Sequence, residues 1–243
     1  MRNWKEKLAV WLVAAVPLLA LAADGKTFRW SSQGDAATLD PHSQNETFNN
    51  SLNNMVYEYL VMRDRKEFGK FVPGLALSWT NTSPTTWVFK LRPGVKFHDG
   101  TPFTADDVVF SYNRARESTV TFRLYSTQAG IPRKIDDLTV EFTTPVPNPV
   151  ELETVGNIMI MSKAWCEKHG VTKPLDYTKK EESFATRNAM GTGPYRLVAW
   201  EQGIKLTHRK NADWWGVKAG YYTGNVEVSE YRPIANGATR MAA

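Results

Sequence analysis

Residues 86–116 read TWVFKLRPGVKFHDGTPFTADDVVFSYNRAR, and the fold turns on how that run divides. Trp87, Phe89 and Leu91 alternate with Val88, Lys90 and Arg92, the period-2 pattern of a strand with one buried face. Pro93-Gly94 interrupts it, Val95-Lys96-Phe97 resumes it, and Asp99-Gly100 is a tight-turn pair. A helix follows. Thr104 is a natural N-cap, Asp106 and Asp107 place negative charge in the first turn, and Phe103 is positioned to staple onto Val108. Val108, Val109, Tyr112 and Ala115 keep helical spacing. On capping grounds Thr104 carries the larger share of this helix start, about 1 kcal/mol, and Asp107 less.

Upstream, Lys26–Ser32 reads as a first strand with Phe28 and Trp30 on one face. It runs into a polar loop, Gly34 to Pro41. From Thr47, Leu52, Met55, Val56, Tyr59 and Leu60 fall at i, i+3, i+4, i+7 and i+8, the apolar stripe of one helix. Downstream, order weakens from Ser126 to Pro132. Ile135-Asp136-Asp137 is a turn, and Leu138, Val140 and Phe142 alternate as a strand ending at Pro145. Residues 157–162 (NIMIMS) form an apolar run that periodicity assigns to neither helix nor strand. Ser162 caps a short helix closed by Gly170. Residues 173–188 are polar and unpatterned, a surface loop. Gly191-Thr192-Gly193-Pro194-Tyr195 lacks the ending of a phosphate loop, and Pro194 removes a backbone donor where a cradle needs one. It reads as a turn into a hairpin, Tyr195–Trp200 and Ile204–His208. A last strand spans Val226–Tyr231, and Asn236 caps a final helix.

Residues 1–22 have the form of a secretory leader: Arg2, Lys5 and Lys7, an apolar run from Leu8 to Leu21, then Ala20-Leu21-Ala22. The run is shorter than the roughly 20 residues a membrane span needs. The mature chain is expected to begin at Ala23. Cleavage reduces the formal charge from +5 to +3, 27 Lys and Arg against 24 Asp and Glu. The basic residues are scattered, which argues against nucleic acid as a partner. Cys166 is alone, so no intrachain disulfide forms. His42, His98, His169 and His208 lack ligand spacing, so no metal or other cofactor is expected.

The run LRPGVKFHDGTPFTADDVVFSYNRA resembles, almost without gaps, the signature of the periplasmic peptide- and nickel-binding proteins of ABC importers, solute-binding family 5. GDAATLDPH, FVPGLALSW and GTGPYRLVAWEQG with KLTHRKNADWW are similar to further family segments. Tyr57-Glu58-Tyr59-Leu60 departs modestly, with Tyr59 where the family has a small residue or proline. The resemblance implies an α/β, type II periplasmic-binding-protein-like fold. It implies a first lobe at about 23–67 and 189–243, a subdomain inserted at about 68–188, and the second lobe missing from this chain. It also implies a periplasmic solute receptor, with no enzyme activity, that delivers peptides to the permease subunits of an ABC importer. Nickel chelates, haem and opines are alternative solutes in the family. By regional match, Ser32, Gln33, Ser43, Tyr125 and Asn157 are the ligand-binding candidates.

Two other classes compete. A secreted hydrolase would use Asp99, Asp106 or Glu58 and requires two carboxylates converging on one cleft. Asp106 and Asp107, neighbours in a helix, point about 100° apart and cannot both face one bond. A periplasmic holdase would expose apolar surface because its fold is incomplete. The closing helix ends without a Gly or polar stop, so the chain reads as the N-terminal part of a longer protein.

Overall fold

The computed structural model describes residues 25–64, 66–221 and 224–242, so the leader and its cleavage site lie outside the described residues. In chain order the elements are β1 (Lys26–Ser32), α1 (Thr47–Asn53), β2 (Val61–Arg63), β3 (Phe71–Pro73), β4 (Ala76–Ser83) and β5 (Thr86–Leu91). They continue with α2 (Ala105–Arg116), α3 (Phe122–Gln128), β6 (Ile131–Asp136), β7 (Thr139–Thr143), α4 (Glu151–Val155), α5 (Lys163–Lys168) and α6 (Phe184–Arg187). Last come β8 (Tyr195–Glu201), β9 (Lys205–Lys210), α7 (Trp215–Lys218), β10 (Val226–Pro233) and α8 (Gly237–Ala242). One four-stranded sheet has the order β1-β10-β9-β8, with β1 and β10 parallel and the other pairs antiparallel. A second, wholly antiparallel, has the order β4-β5-β7-β6.

The second sheet and α2 are what residues 86–116 encode. Phe89 and Leu91 are buried with Val140 and Phe142 on the facing strand, and Val108, Tyr112 and Ala115 of α2 close over them. Tyr112 packs its ring 4.7 Å from that of Phe142 and donates its hydroxyl to the Val155 carbonyl at 2.7 Å. Each such large side chain removed from water contributes about 1.5–3 kcal/mol. The first sheet has its own core, where Leu52, Leu206, Tyr231, Ala36 and Leu39 pack beside Trp30 and Phe48.

The stripe that predicts a helix from Thr47 to Leu60 is buried, but not as one helix. α1 ends at Asn53. The Met55 and Val56 carbonyls turn away to accept the Tyr195 N–H at 2.9 Å and the Gly193 N–H at 2.8 Å. That approach needs glycine, since a Cβ on Gly191 or Gly193 would clash with the Val56 carbonyl oxygen. The chain continues extended: Tyr59 pairs with Met159, and the Glu58 carbonyl accepts the Ile160 N–H at 2.9 Å. The same pairing resolves the 157–162 run as extended. Two further expectations change. Residues 131–136 form the edge strand β6, made by pairing with β7 rather than by any alternation of their own. The 173–188 stretch carries α6, whose buried Ala185 and the Thr186 carbonyl, accepting the Leu39 N–H at 3.0 Å, make it a wall rather than a surface loop.

At the start of α2, Thr104 and Asp107 form a reciprocal capping box, and Asp107 has a further partner that the sequence did not predict. Asp107 Oδ2 accepts the Thr104 N–H at 2.9 Å and its hydroxyl at 3.3 Å, while Oδ1 accepts the Lys163 N–H at 2.9 Å. The carboxylate therefore joins the starts of α2 and α5, and losing it strands two amides. Urea unfolding should show Asp107→Ala costing about 2 kcal/mol and Thr104→Ala under about 1 kcal/mol. The opposite ranking would mean that Thr104 is the working cap.

Candidate functional site

In open sheets with parallel strands, ligands bind outside the carboxyl ends of those strands, where loops diverge. Here the parallel pair β1 and β10 ends at Ser32 and Pro233, and residues 33–46 leave from that edge. The loop is anchored at three points. The Asp35 carboxylate accepts the Ala36 N–H at 2.8 Å, the Gly203 N–H at 2.5 Å and the Trp200 indole at 3.2 Å. Asn49 Oδ1 accepts the Ala37 and Thr38 amides at 3.0 and 3.3 Å.

The third anchor is an ion pair out of contact with water. Arg114 grips Asp40 in a fork, Nη1 to Oδ1 at 2.8 Å and Nη2 to Oδ2 at 2.6 Å, with both side chains at most 1% exposed. Its remaining donors reach the Val171 carbonyl at 3.0 Å and the Lys173 carbonyl at 3.2 Å. Asp40 Oδ1 also accepts the His42 N–H at 3.0 Å. Burial alone would raise the Asp40 carboxyl, but the Arg114 charge and its hydrogen bonds overcome that and hold it below its usual range. His42 Nε2 donates to the Met159 carbonyl at 2.9 Å, which leaves Nδ1 to accept Arg114 Nη1 at 3.2 Å. Burial and the adjacent guanidinium lower His42 to about 4, so it stays neutral.

The anchored loop roofs a half-open cavity of about 240 Å³, with Thr38, Ser43 and Thr186 inside and Lys180 and Glu181 at its rim. Ser43 is the sequence candidate that enters it. Ser32 lies at the end of β1, where its carbonyl accepts the Ile234 N–H at 2.8 Å, and Gln33 is exposed beside it. Tyr125 is half-buried in α3 against Phe122. Asn157 spends its amide on the Glu153 carbonyl at 2.6 Å. Ser32, Gln33 and Ser43 thus share one loop, while Tyr125 and Asn157 belong to the packing around α3 and α4. Thr186 and Lys180 carried no sequence signal, since they fall in the unpatterned stretch.

The carboxylates of the hydrolase reading are spent on local partners. Asp99 accepts the Thr101 N–H and hydroxyl at 3.0 and 2.6 Å, and Asp106 pairs with Lys134 at 2.6 Å. Buried Glu58 accepts the Thr192 hydroxyl at 2.7 Å and the Trp214 and Trp215 indoles at 3.0 Å. Burial raises it to about 7 against those bonds.

Residues 70–243 match the model of the bacterial extracellular solute-binding proteins, family 5 (middle). The chain belongs to this family. It is 29% identical over 220 residues to a probable peptide-binding protein, YejA, of Agrobacterium fabrum, covering 88% of this chain and 34% of that one. It is 30% identical over 244 residues to the glutathione-binding protein GsiB of Pectobacterium atrosepticum, covering 96% and 43%. Family 5 relatives are binding proteins, not enzymes, which removes the hydrolase reading. The solved structure of MoaA of A. tumefaciens R10 with mannopinic acid superposes with a TM-score of 0.76 at 25% identity, over 90% of this chain and 43% of that one. The fold is that of type II periplasmic binding proteins, and the chain spans well under half the length of these relatives.

The neutral state of His42 has a measurable consequence. Its ring titrates near 6.5 when unfolded and near 4 when folded. As pH falls through that window the unfolded chain takes up the proton first, so folded stability is lost. Between pH 7 and pH 4, urea unfolding should show the wild type losing about 3 kcal/mol more than His42→Gln. Parallel pH profiles would contradict a buried neutral ring.

Proposed function

We propose that this chain supplies one wall of a periplasmic solute receptor that delivers di- or oligopeptides to the permease subunits of an ABC importer. The reading rests most on the likeness to relatives named for peptide and glutathione binding, since glutathione is itself a peptide. It is supported by a loop held rigidly at the carboxyl ends of a parallel strand pair. A peptide offers main-chain donors and acceptors along its length, so it is gripped as an added strand while its side chains occupy tolerant pockets. Two lobes closing over it exclude water and strengthen those bonds.

In this reading the first lobe comprises about 23–67 and 189–243, with a subdomain inserted at about 68–188. The basic and apolar start of the chain directs it to the periplasm. Ser32, Gln33 and Ser43 face the solute, with Tyr125 and Asn157 further from it. Among the described residues, the α1 side of the first sheet is covered only in part. Phe28, 54% exposed, opens with Trp30, Met55, Tyr195 and Val226 a groove of about 340 Å³. Apolar surface of that kind favours self-association of this chain.

A cleft buries most of a small ligand, whereas a single wall buries one side of it. Calorimetry with a mixed di- and tripeptide library should give binding no tighter than about millimolar, roughly 4 kcal/mol. Micromolar binding would show that this chain carries the whole peptide site.

A further inference from the structure

The cavity beneath the 35–43 loop holds three unspent groups. Ser43 Oγ is in a residue only 3% exposed and has no hydrogen-bond partner among the described residues. The hydroxyls beside it are engaged, Thr38 accepting the Asp40 N–H at 3.1 Å and Thr186 accepting the Ser183 N–H at 2.9 Å. At the rim Lys180 and Glu181 carry opposite charges, and among the described residues neither forms an ion pair. Their neighbour Glu182 is held by Arg187, which also donates to Gln202 Oε1 at 2.9 Å.

Lys180, with φ of +57°, is the one non-glycine residue among those described that has a positive φ. It follows the 3-10 turn Tyr177–Lys179, where a left-handed residue commonly closes the last turn. A trapped water would satisfy Ser43 alone, whereas a charged ligand would also meet the Lys180 and Glu181 side chains at the rim.

We propose that this cavity binds a small zwitterion, a free α-amino acid. Its carboxylate meets the Lys180 ammonium and accepts from the Ser43 hydroxyl, and its ammonium meets Glu181. The cavity, about 240 Å³ and half-open, has room for a small ligand. The site shares Ser43 with the peptide reading, but Lys180 and Glu181 lie outside that reading, so the effect of Lys180→Gly on L-alanine binding separates the two.

Calorimetry of the full chain with L-alanine to about 10 mM, ten times a millimolar dissociation constant, is the test. Saturable binding is expected, with none for N-acetyl-alanine amide, which lacks both charges. Ser43→Ala and Lys180→Gly should each weaken binding by about tenfold or more. Lys180→Gly removes the ammonium and also relieves the backbone, so its thermal midpoint should hold or rise and misfolding cannot explain the loss. No saturable binding of L-alanine overturns the proposal. So does equal binding of the blocked amide, or binding unchanged in both variants.

Discussion

The organisation of this chain depends on the pairing of Asp40 with Arg114. A guanidinium and a carboxylate taken out of water are tolerated only when every donor and acceptor finds a partner. Here each Arg114 nitrogen has one. The fork holds Asp40, and the outward donors hold the Val171 and Lys173 carbonyls. Four separate pieces of chain therefore meet at one point: the loop after β1, α2, the Met159 segment through His42, and the turn after α5. The pair is the link between the scaffold that residues 86–116 encode and the loop at the edge of the parallel strands.

That arrangement fixes the loop before any solute arrives. A loop whose ends alone were fixed would lose conformational entropy on meeting a solute, and affinity with it. Asp35, Asn49 and Asp40 meet that cost at folding. Glu58 plays a comparable part elsewhere, tying the extended 57–60 segment to Thr192 and to the two indoles before and within α7.

Local chemistry was legible wherever it decided the outcome. The strand at Trp87–Leu91, the helix start after Thr104, the Ser162 cap and the hairpin at Gly203 all follow from periodicity, capping and turn residues within a few positions. What was not legible came from distant partners. The stripe from Leu52 to Leu60 satisfies a helix as well as it satisfies the observed turn, and only the Gly191–Tyr195 segment taking the Met55 and Val56 carbonyls decides between them. β6 exists because β7 pairs with it. Asp107 gains the Lys163 amide as a second partner only because the fold brings that distant residue there. The site divides in the same way. Ser43 was reached through the loop that contains it, whereas Lys180 and Thr186 meet it only by folding.

Hydrogen exchange at the Leu39 and His42 amides tests the central role of the buried pair most directly. If Arg114 and Asp40 hold the loop as part of the core, these amides should exchange only by global opening, with the same free energy as the Phe89 amide in the middle of the second sheet. In Arg114→Met they should exchange by local opening, far faster than Phe89 in the same variant. Local opening in the wild type, at rates typical of exposed loops, would contradict the account.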